Sequence, residues 1–368
     1  MNHVTSGSYN SDDVLFLLKT IDMPVVGIEE KERLIQSGQR HYSEMISRET
    51  PPSSGYLQLF HEACNLNNSR FCADLIRMAR RLAEVYGNEI TLLSLVRAGT
   101  PIGVLLKRIL EQYFLVKTHH YSISIIRDRG IDQNALRHVL MADKRSPDTL
   151  VFIDGWTGKG VISSELSFWV DKFNKTEGCL LSSDLHVVAD ISGTAAYSAT
   201  HDDYLIPSAI MNSIVSGLVS RSILNSDYIG IDDFHGCLYY REFESIDRSR
   251  YFVDDVMKFV PCLLDDVLSE KPFVTTPEDK ERLRQKSFDF LEKSRELYGI
   301  RDINQIKPGI GEATRVLLRR VPYLLVLRDE NIPEVAHLRL LAAEKGVPLE
   351  INSSLPYNAA AFIATVAS

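Results

Sequence analysis

Cysteine is scarce and unpatterned in this chain of 368 residues: Cys64, Cys72, Cys179, Cys237 and Cys262 form no CxxC pair. That excludes a disulfide framework and a cysteine-built metal knuckle, and it points to a reducing cytoplasm. No run approaches 18 apolar residues, so a membrane span is not expected. The polar start, MNHVTSGSYNSDD, has neither the basic region nor the apolar centre of a signal peptide. A basic excess is also missing. The net charge of −8 argues against general nucleic-acid coating and leaves room only for a local basic face. What remains is ordinary for a globular protein, 45% hydrophobic and 24% charged, and long enough for two or three domains with ample core.

The most informative stretch is TLVFIDGWTGKGVISS, Thr149 to Ser164. Leu150-Val151-Phe152-Ile153 has the length and β-branched character of a buried strand, ending at Asp154. Gly155-Trp156-Thr157-Gly158-Lys159-Gly160 follows, and Val161, Ile162, Leu166, Trp169 and Val170 then recur as on one face of a helix. Strand, glycine-rich turn and helix start bring together free backbone N–H groups and the positive end of a helix dipole, which suits an anion. The spacing is not that of a Walker loop.

A second unit of the same kind precedes it. Ile90 to Val96 reads as a strand, Arg97-Ala98-Gly99-Thr100-Pro101 as the turn, and Ile102 to about Gln112 as the helix. Between the two lie a strand, Tyr121 to Ile126, the run Arg127-Asp128-Arg129-Gly130, and a helix from Gln133 to Met141. Arg127 and Arg129 are candidates for phosphate contacts, and a solvated charge run accounts for them equally well. His119 and His120 point opposite ways on a strand, which argues against a shared metal. After a further strand, His186 to Ile191, come His201, Asp202 and Asp203, candidates for substrate contacts or for helix caps. Ser208 to Leu224 reads as a helix.

Elsewhere, residues 1–13 read as loosely attached, Val14 to about Ser47 as short helices, and Asn67 to Tyr86 as a long helix stopped by Gly87. Lys, Glu and Arg crowd a helical stretch from Pro277 to Tyr298. The expected division is 1–275, a helical linker at 276–299, and a small module at 300–368.

The two loops resemble those of type I phosphoribosyltransferases. The resemblance implies an α/β fold with a mainly parallel sheet flanked by helices. It places the ribose hydroxyls of PRPP at Asp154, the apolar pair at Gly155 and Trp156, the 5′-phosphate on Thr157, Gly158, Lys159 and Gly160, and the pyrophosphate at Arg97, Ala98, Gly99 and Thr100. It also implies Mg2+ as cofactor and Asp154, Arg97 and Lys159 as catalytic groups. Ile153 stands where the family's first acid normally stands.

The tail resembles the Pelota-type RNA-binding domain, with Lys307, Gly309, Gly311, Glu312, Thr314 and Arg315 on its RNA-contacting pattern. From Arg301 to Ser368, 8 Lys/Arg face 7 Asp/Glu, so this module is +1 and only its Lys307/Arg315/Arg319/Arg320 face is suggestive. Core and tail together resemble a bacterial family linked to tellurium-resistance and stress-response operons, with labels such as StiP. Some members also carry the label cysteine protease.

The expected function is therefore phosphoribosyl transfer to or from a nucleoside-like metabolite, by a homo-oligomer with a ribosyl phosphate substrate, possible RNA contact and no membrane. Two other classes stay open. Loss of the first acid favours a module that senses PRPP or a nucleotide without turning it over. All five cysteines read as packing like small apolar residues, and a cysteine hydrolase would draw on Cys237 with His235, two residues apart and on one side of a strand.

Overall fold

The computed structural model describes residues 5–365. Its centre is a six-stranded sheet whose strands are all parallel. In chain order the elements leading into it are β1 (Leu15–Phe16), β2 (Lys19–Thr20), α1 (Ile28–Gln36), α2 (Ser54–Tyr86), β3 (Glu89–Leu95), α3 (Gly99–Tyr113) and β4 (Lys117–Ile123). A hairpin, β5 (Ile125–Ile126) and β6 (Gly130–Ile131), and α4 (Gln133–Arg137) follow. Then come β7 (Leu150–Thr157), α5 (Val161–Glu177), β8 (Leu185–Asp190) and β9 (Tyr197–Thr200). The sheet order is β1-β4-β3-β7-β8-β9.

Burial on both faces explains the near-continuous apolar strands. Ile90, Leu92, Val151 and Ile153 pack on one side with α2 and α3, whereas Leu93, Leu95, Leu150 and Phe152 pack on the other with α4 and α5. This is the two-residue alternation of a strand with an apolar layer above and below it.

The long helix α2 starts thirteen residues before the expected Asn67, at Ser54. Pro51 and Pro52 bar earlier helix, and Ser53 Oγ accepts from Tyr56 N at 3.2 Å as the cap. The N-terminal expectations are corrected in two places. Residues 5–13 are tied down: Tyr9 Oη donates to Val215 O at 2.9 Å, and Asp13 pairs with Arg108 at 2.7 Å. Residues 1–4 lie outside the described residues. The segment from Val14 holds two short strands and only one α-helix, because Phe16, Leu17 and Leu18 are all buried and leave no polar helix face.

Ser208 to Leu224 is not a helix either. Short 3-10 turns at Pro207–Ile210 and Ser213–Val215 are followed by Gly217 and Leu218 at positive φ. Ser220 N donates to Leu238 O at 2.9 Å, and Ile223 and Gly236 exchange N–H donors at 2.8 and 2.7 Å. Pairing with a distant segment overrides the local 3.6-residue pattern. That partner segment is β10 (Gly236–Cys237), itself paired with β2.

Helices α6 (Ser249–Met257) and α7 (Val260–Ser269) pack on α2. Next, α8 (Pro277–Tyr298), with a Thr276–Asp279 capping box, leads to the C-terminal domain. There β11 (Ile306–Pro308), α9 (Ile310–Arg319), β12 (Pro322–Leu327), α10 (Ala336–Glu344), β13 (Leu349–Ile351) and β14 (Ala359–Ile363) form a four-stranded sheet of order β11-β14-β12-β13 with two helices.

Candidate functional site

Both loops singled out in the sequence lie side by side, since β3 and β7 are neighbours in register from Thr91↔Leu150 to Ser94↔Ile153. A Cβ at Gly99 would lie 2.5 Å from Ile153 O, so only glycine lets the start of α3 sit this close to the tip of β7. Strand β7 runs past Asp154 to Thr157, which leaves a turn of Gly158, Lys159 and Gly160 before α5. Gly160 has φ +80 and presses on Thr194.

Asp190, at the tip of β8, organises the turn's other side. Its carboxylate accepts from Ser192 N, Gly193 N, Thr194 N and Ala195 N at 2.9–3.3 Å, and from Thr157 Oγ1 at 2.5 Å. The Thr157 hydroxyl thus supports its own loop. Thr100, also expected to grip phosphate, is fully buried with Oγ1 2.6 Å from Ser122 Oγ.

Arg97 is buried and engaged three ways. It donates to Glu49 Oε1 at 2.6 Å, to Val219 O at 3.1 Å and to Asn212 Oδ1 at 3.1 Å. Asn212 Oδ1 also accepts from Arg319 Nε at 2.6 Å. Arg221 donates to the carbonyls of Tyr42 and Met45. Burial pushes its guanidinium down to about 10, and burial with Arg97 nearby drives Arg319 well below the ordinary arginine range. Arg97, Arg221, Arg319 and Arg315 line a hollow of about 190 Å³. A second, of about 220 Å³, is lined by Asp154, the Thr157–Gly160 turn, Arg127, Lys307, Glu312, Arg315 and Arg320. Tyr42, Trp156 and Arg315 border both.

The second wall comes from the C-terminal domain. The Arg315 guanidinium lies 4.5 Å from the Trp156 ring centroid, and Trp156 Nε1 donates to Glu312 Oε1 at 3.3 Å. A Cβ at Gly311 would meet the Trp156 ring at 2.5 Å, and one at Gly158 would come within 3.0 Å of Glu312 Cγ. Asp203 caps α9, accepting from Ile310 N at 2.9 Å and Asn358 N at 2.7 Å. Burial pushes its carboxyl up to about 6.

Eight cations, Arg97, Arg127, Lys159, Arg221, Lys307, Arg315, Arg319 and Arg320, therefore meet five carboxylates, Glu32, Glu49, Asp128, Asp154 and Glu312, around one cleft. In a chain of net charge −8 this is a local excess of positive charge. Burial, then Lys307, lowers Lys159 to about 7, and its Nζ donates to Ile303 O at 2.6 Å. Asp154 is pushed up to about 6 by burial, with Gly155 N donating to it at 2.8 Å.

Other expected contacts fall elsewhere. His201 bonds Thr275 Oγ1 at 2.9 Å, Asp202 pairs with Arg70 at 2.6 Å, Asp203 is the cap just described, and Arg129 pairs with Glu44 at 3.2 Å. Thr314 is fully buried, donating to Ile310 O at 2.8 Å, so it has no hydroxyl to offer RNA. Tyr42, Glu49, Asn212 and Arg221 had no signal in the sequence. They lie in segments read there as helix or loop; Glu49 and Asn212 bond Arg97, and Tyr42 and Arg221 line the same hollow, only through the tertiary fold.

Cys237 is fully buried on β10, and burial pushes its thiol up to about 12. His235 Nδ1 lies 2.7 Å from Ser124 Oγ. Among the described residues no hydrogen bond joins a cysteine to a histidine. None of their helices is long and apolar enough to cross a membrane.

The family model described as tellurite-like stress resistance cysteine protease StiP matches residues 7–257, and that of the PELOTA RNA binding domain matches residues 285–365. A relative named cysteine protease StiP, from Acinetobacter baylyi, is 38% identical over 369 residues, 97% of this chain and 94% of that protein. Among solved structures, an alanine mutant from a study of an invariant aspartic acid in HPRTs has a TM-score of 0.28 at 13% identity, covering 38% of this chain and 81% of that one. The hypoxanthine phosphoribosyltransferase of Trypanosoma cruzi complexed with IMP also has 0.28 at 13%, covering 50% and 87%. Scores this low carry no argument about activity. The expectation of a phosphoribosyltransferase is overturned by the name and extent of the A. baylyi match and by the family model over residues 7–257, both described as a cysteine protease. Matched over most of its length by that model and nearly end to end by that relative, the chain belongs to the tellurite-like stress resistance cysteine protease StiP family.

Proposed function

We propose that the cleft between core and C-terminal domain binds a small phosphorylated anion without transferring its ribosyl group, and that the chain works as an anion-responsive member of its family. The observation that carries this reading is the convergence of eight cations on one cleft. Buried guanidiniums gain more from a phosphate than exposed ones, because little water competes for the charge. The C-terminal domain adds RNA as a second partner, on the strength of the domain model it matches.

Magnesium fits the site poorly. Asp154 stands without the neighbouring acid that Ile153 replaces, and Arg315 acts on it as a positive neighbour. Among the described residues no group of three His, Cys, Asp or Glu side chains is placed to hold a metal. Lysine and arginine are left to meet the ligand's charge.

Titration calorimetry with pyrophosphate tests the reading, and absence of saturable binding sinks it. The pH dependence has a definite sign. Lys159 sits at about 7, so it is mostly neutral above that pH and charged below it. A bound anion favours the charged form, so binding takes up a proton. Affinity rises as pH falls from about 9 to about 7, by roughly tenfold, and then levels off. Lys159→Met should lose this slope, which separates the lysine from titration of the ligand itself.

A second reading, thiol hydrolysis, is favoured by the relative's name. It would use Cys237 with His235, and β10 would have to part from β2 to bring the thiol to substrate. With a thiol pushed up to about 12, native Cys237 should resist iodoacetamide, whereas exposed Cys262 reacts. Peptide mapping reads the outcome directly. Rapid loss of a peptidase activity with labelling at Cys237 would establish the hydrolase in place of the binding module.

A further inference from the structure

The basic face of the C-terminal domain looks into the cleft. Of the 8 Lys/Arg between Arg301 and Ser368, Lys307, Arg315, Arg319 and Arg320 all line the two hollows. Gly309 packs on Ile191 and Asp203, Gly311 on Trp156, and Glu312 over Gly158. Lys159 and Arg127 reach across to Ile303 O at 2.6 Å and Asn304 Oδ1 at 3.4 Å. Gly309 and Gly311, at the start of α9, are thus covered by Ile191, Asp203 and Trp156 of the protein's own core. A polynucleotide has no route to it while Trp156 and Gly158 lie against α9.

We infer that RNA and the cleft anion exclude one another: the anion, held between Lys159 on the core and Lys307 and Arg315 on α9 and β11, keeps the domains together, and RNA binds only the parted form. The inference rests on the anion-binding reading above. It follows from charge as much as from shape. The same guanidiniums and ammoniums cannot neutralise a small phosphate and an RNA backbone at once, and an anion bridging both walls removes the mutual repulsion of their cations. Parting also carries a cost that sets the balance. It leaves the Ile310 and Asn358 N–H groups without the Asp203 carboxylate and uncovers Ile191 and Trp156.

The test uses the full chain and a fluorescein-labelled RNA hairpin, read by polarisation. In the double variant Gly158→Cys/Glu312→Cys, the two side chains replace a contact of 3.0 Å and can be oxidised to a disulfide that locks the cleft shut. RNA binding should be lost on oxidation and return on reduction, with wild type under the same oxidant as the control for native cysteines. Trp156→Ala, which removes the packing surface for Gly311 and Arg315, should bind the hairpin at least tenfold more tightly than wild type. Saturating pyrophosphate should weaken RNA binding to wild type by about tenfold or more. Equal RNA affinity in the oxidised and reduced variant, or no RNA binding by either the reduced variant or Trp156→Ala, overturns the inference. If pyrophosphate gives no calorimetric signal while the lock still blocks RNA, the anion reading fails and masking of the RNA face stands. Should pyrophosphate bind and RNA ignore both lock and anion, masking fails and the anion site stands.

Discussion

Replacing Lys307 and Arg315 together by alanine lowers the affinity for pyrophosphate about a hundredfold. Each side chain lines the hollow beside the Thr157–Gly160 turn, and Arg315 borders both hollows. Charge-assisted hydrogen bonds contribute roughly 1.5–3 kcal/mol each, so two of them account for a change of this size. Folding should suffer little by comparison. Arg315 is partly exposed and its main partners are Glu312 and the Trp156 face, while burial already disfavours the charge on Lys307. Calorimetry alongside a thermal melt separates the two effects. Retained affinity in a folded double variant would mean that the core loops alone hold the anion, and that the C-terminal wall is a lid without a charge role.

Asp190→Ala has the largest expected effect on stability, a loss of about 3–5 kcal/mol. The carboxylate is 1% exposed and takes four backbone N–H donors as well as the Thr157 hydroxyl. Truncating it strands several buried donors at once, and leaving a single buried donor unsatisfied costs about 1–3 kcal/mol. The damage should reach the site as well. Thr194 abuts Gly160, and Ser192 Oγ donates to Thr157 Oγ1 at 2.9 Å, so the Thr157–Gly160 turn loses its outer support. Urea titration monitored by tryptophan fluorescence would show the shift through Trp156 and Trp169. A change below about 1 kcal/mol would show that the 191–195 turn holds its shape without the acid, and that Asp190 is not the organiser described here.

Much of the core was legible because its signals are local. A run such as Leu150 to Ile153, capped by a glycine-rich turn and an apolar helix face, has few alternative folds, and both loops stand at the tips of adjacent parallel strands. Segments that depend on distant partners misread. Ile210, Met211, Ile214, Val215, Leu218 and Val219 have helical spacing, yet all are buried, and the carbonyls of Leu218 and Ile214 accept from Tyr240 N and Arg248 N. Periodicity reports one exposed and one buried face, and a segment enclosed on every side has no such contrast to display. Activity misread for another reason. Loop chemistry suits a phosphate in many proteins, and a turn of this shape does not by itself fix which reaction, if any, takes place beside it.

Cys262, read as packed, is exposed; by itself the sequence determined that two strand–turn–helix units carry the glycine-rich loops and that a module of the RNA-binding type follows the core. These are contacts between near neighbours along the chain, governed by backbone geometry and by the alternation of apolar and polar side chains. Only the tertiary structure decided that Arg97 is held by Glu49 and Asn212, that Arg221 and Arg319 join it, and that Asp203 caps a helix of the other domain. It also turned the Lys307–Arg315 face inward. Those outcomes depend on residues 48 to 115 positions apart meeting across a buried cleft, where charge and desolvation, and not local propensity, set the arrangement.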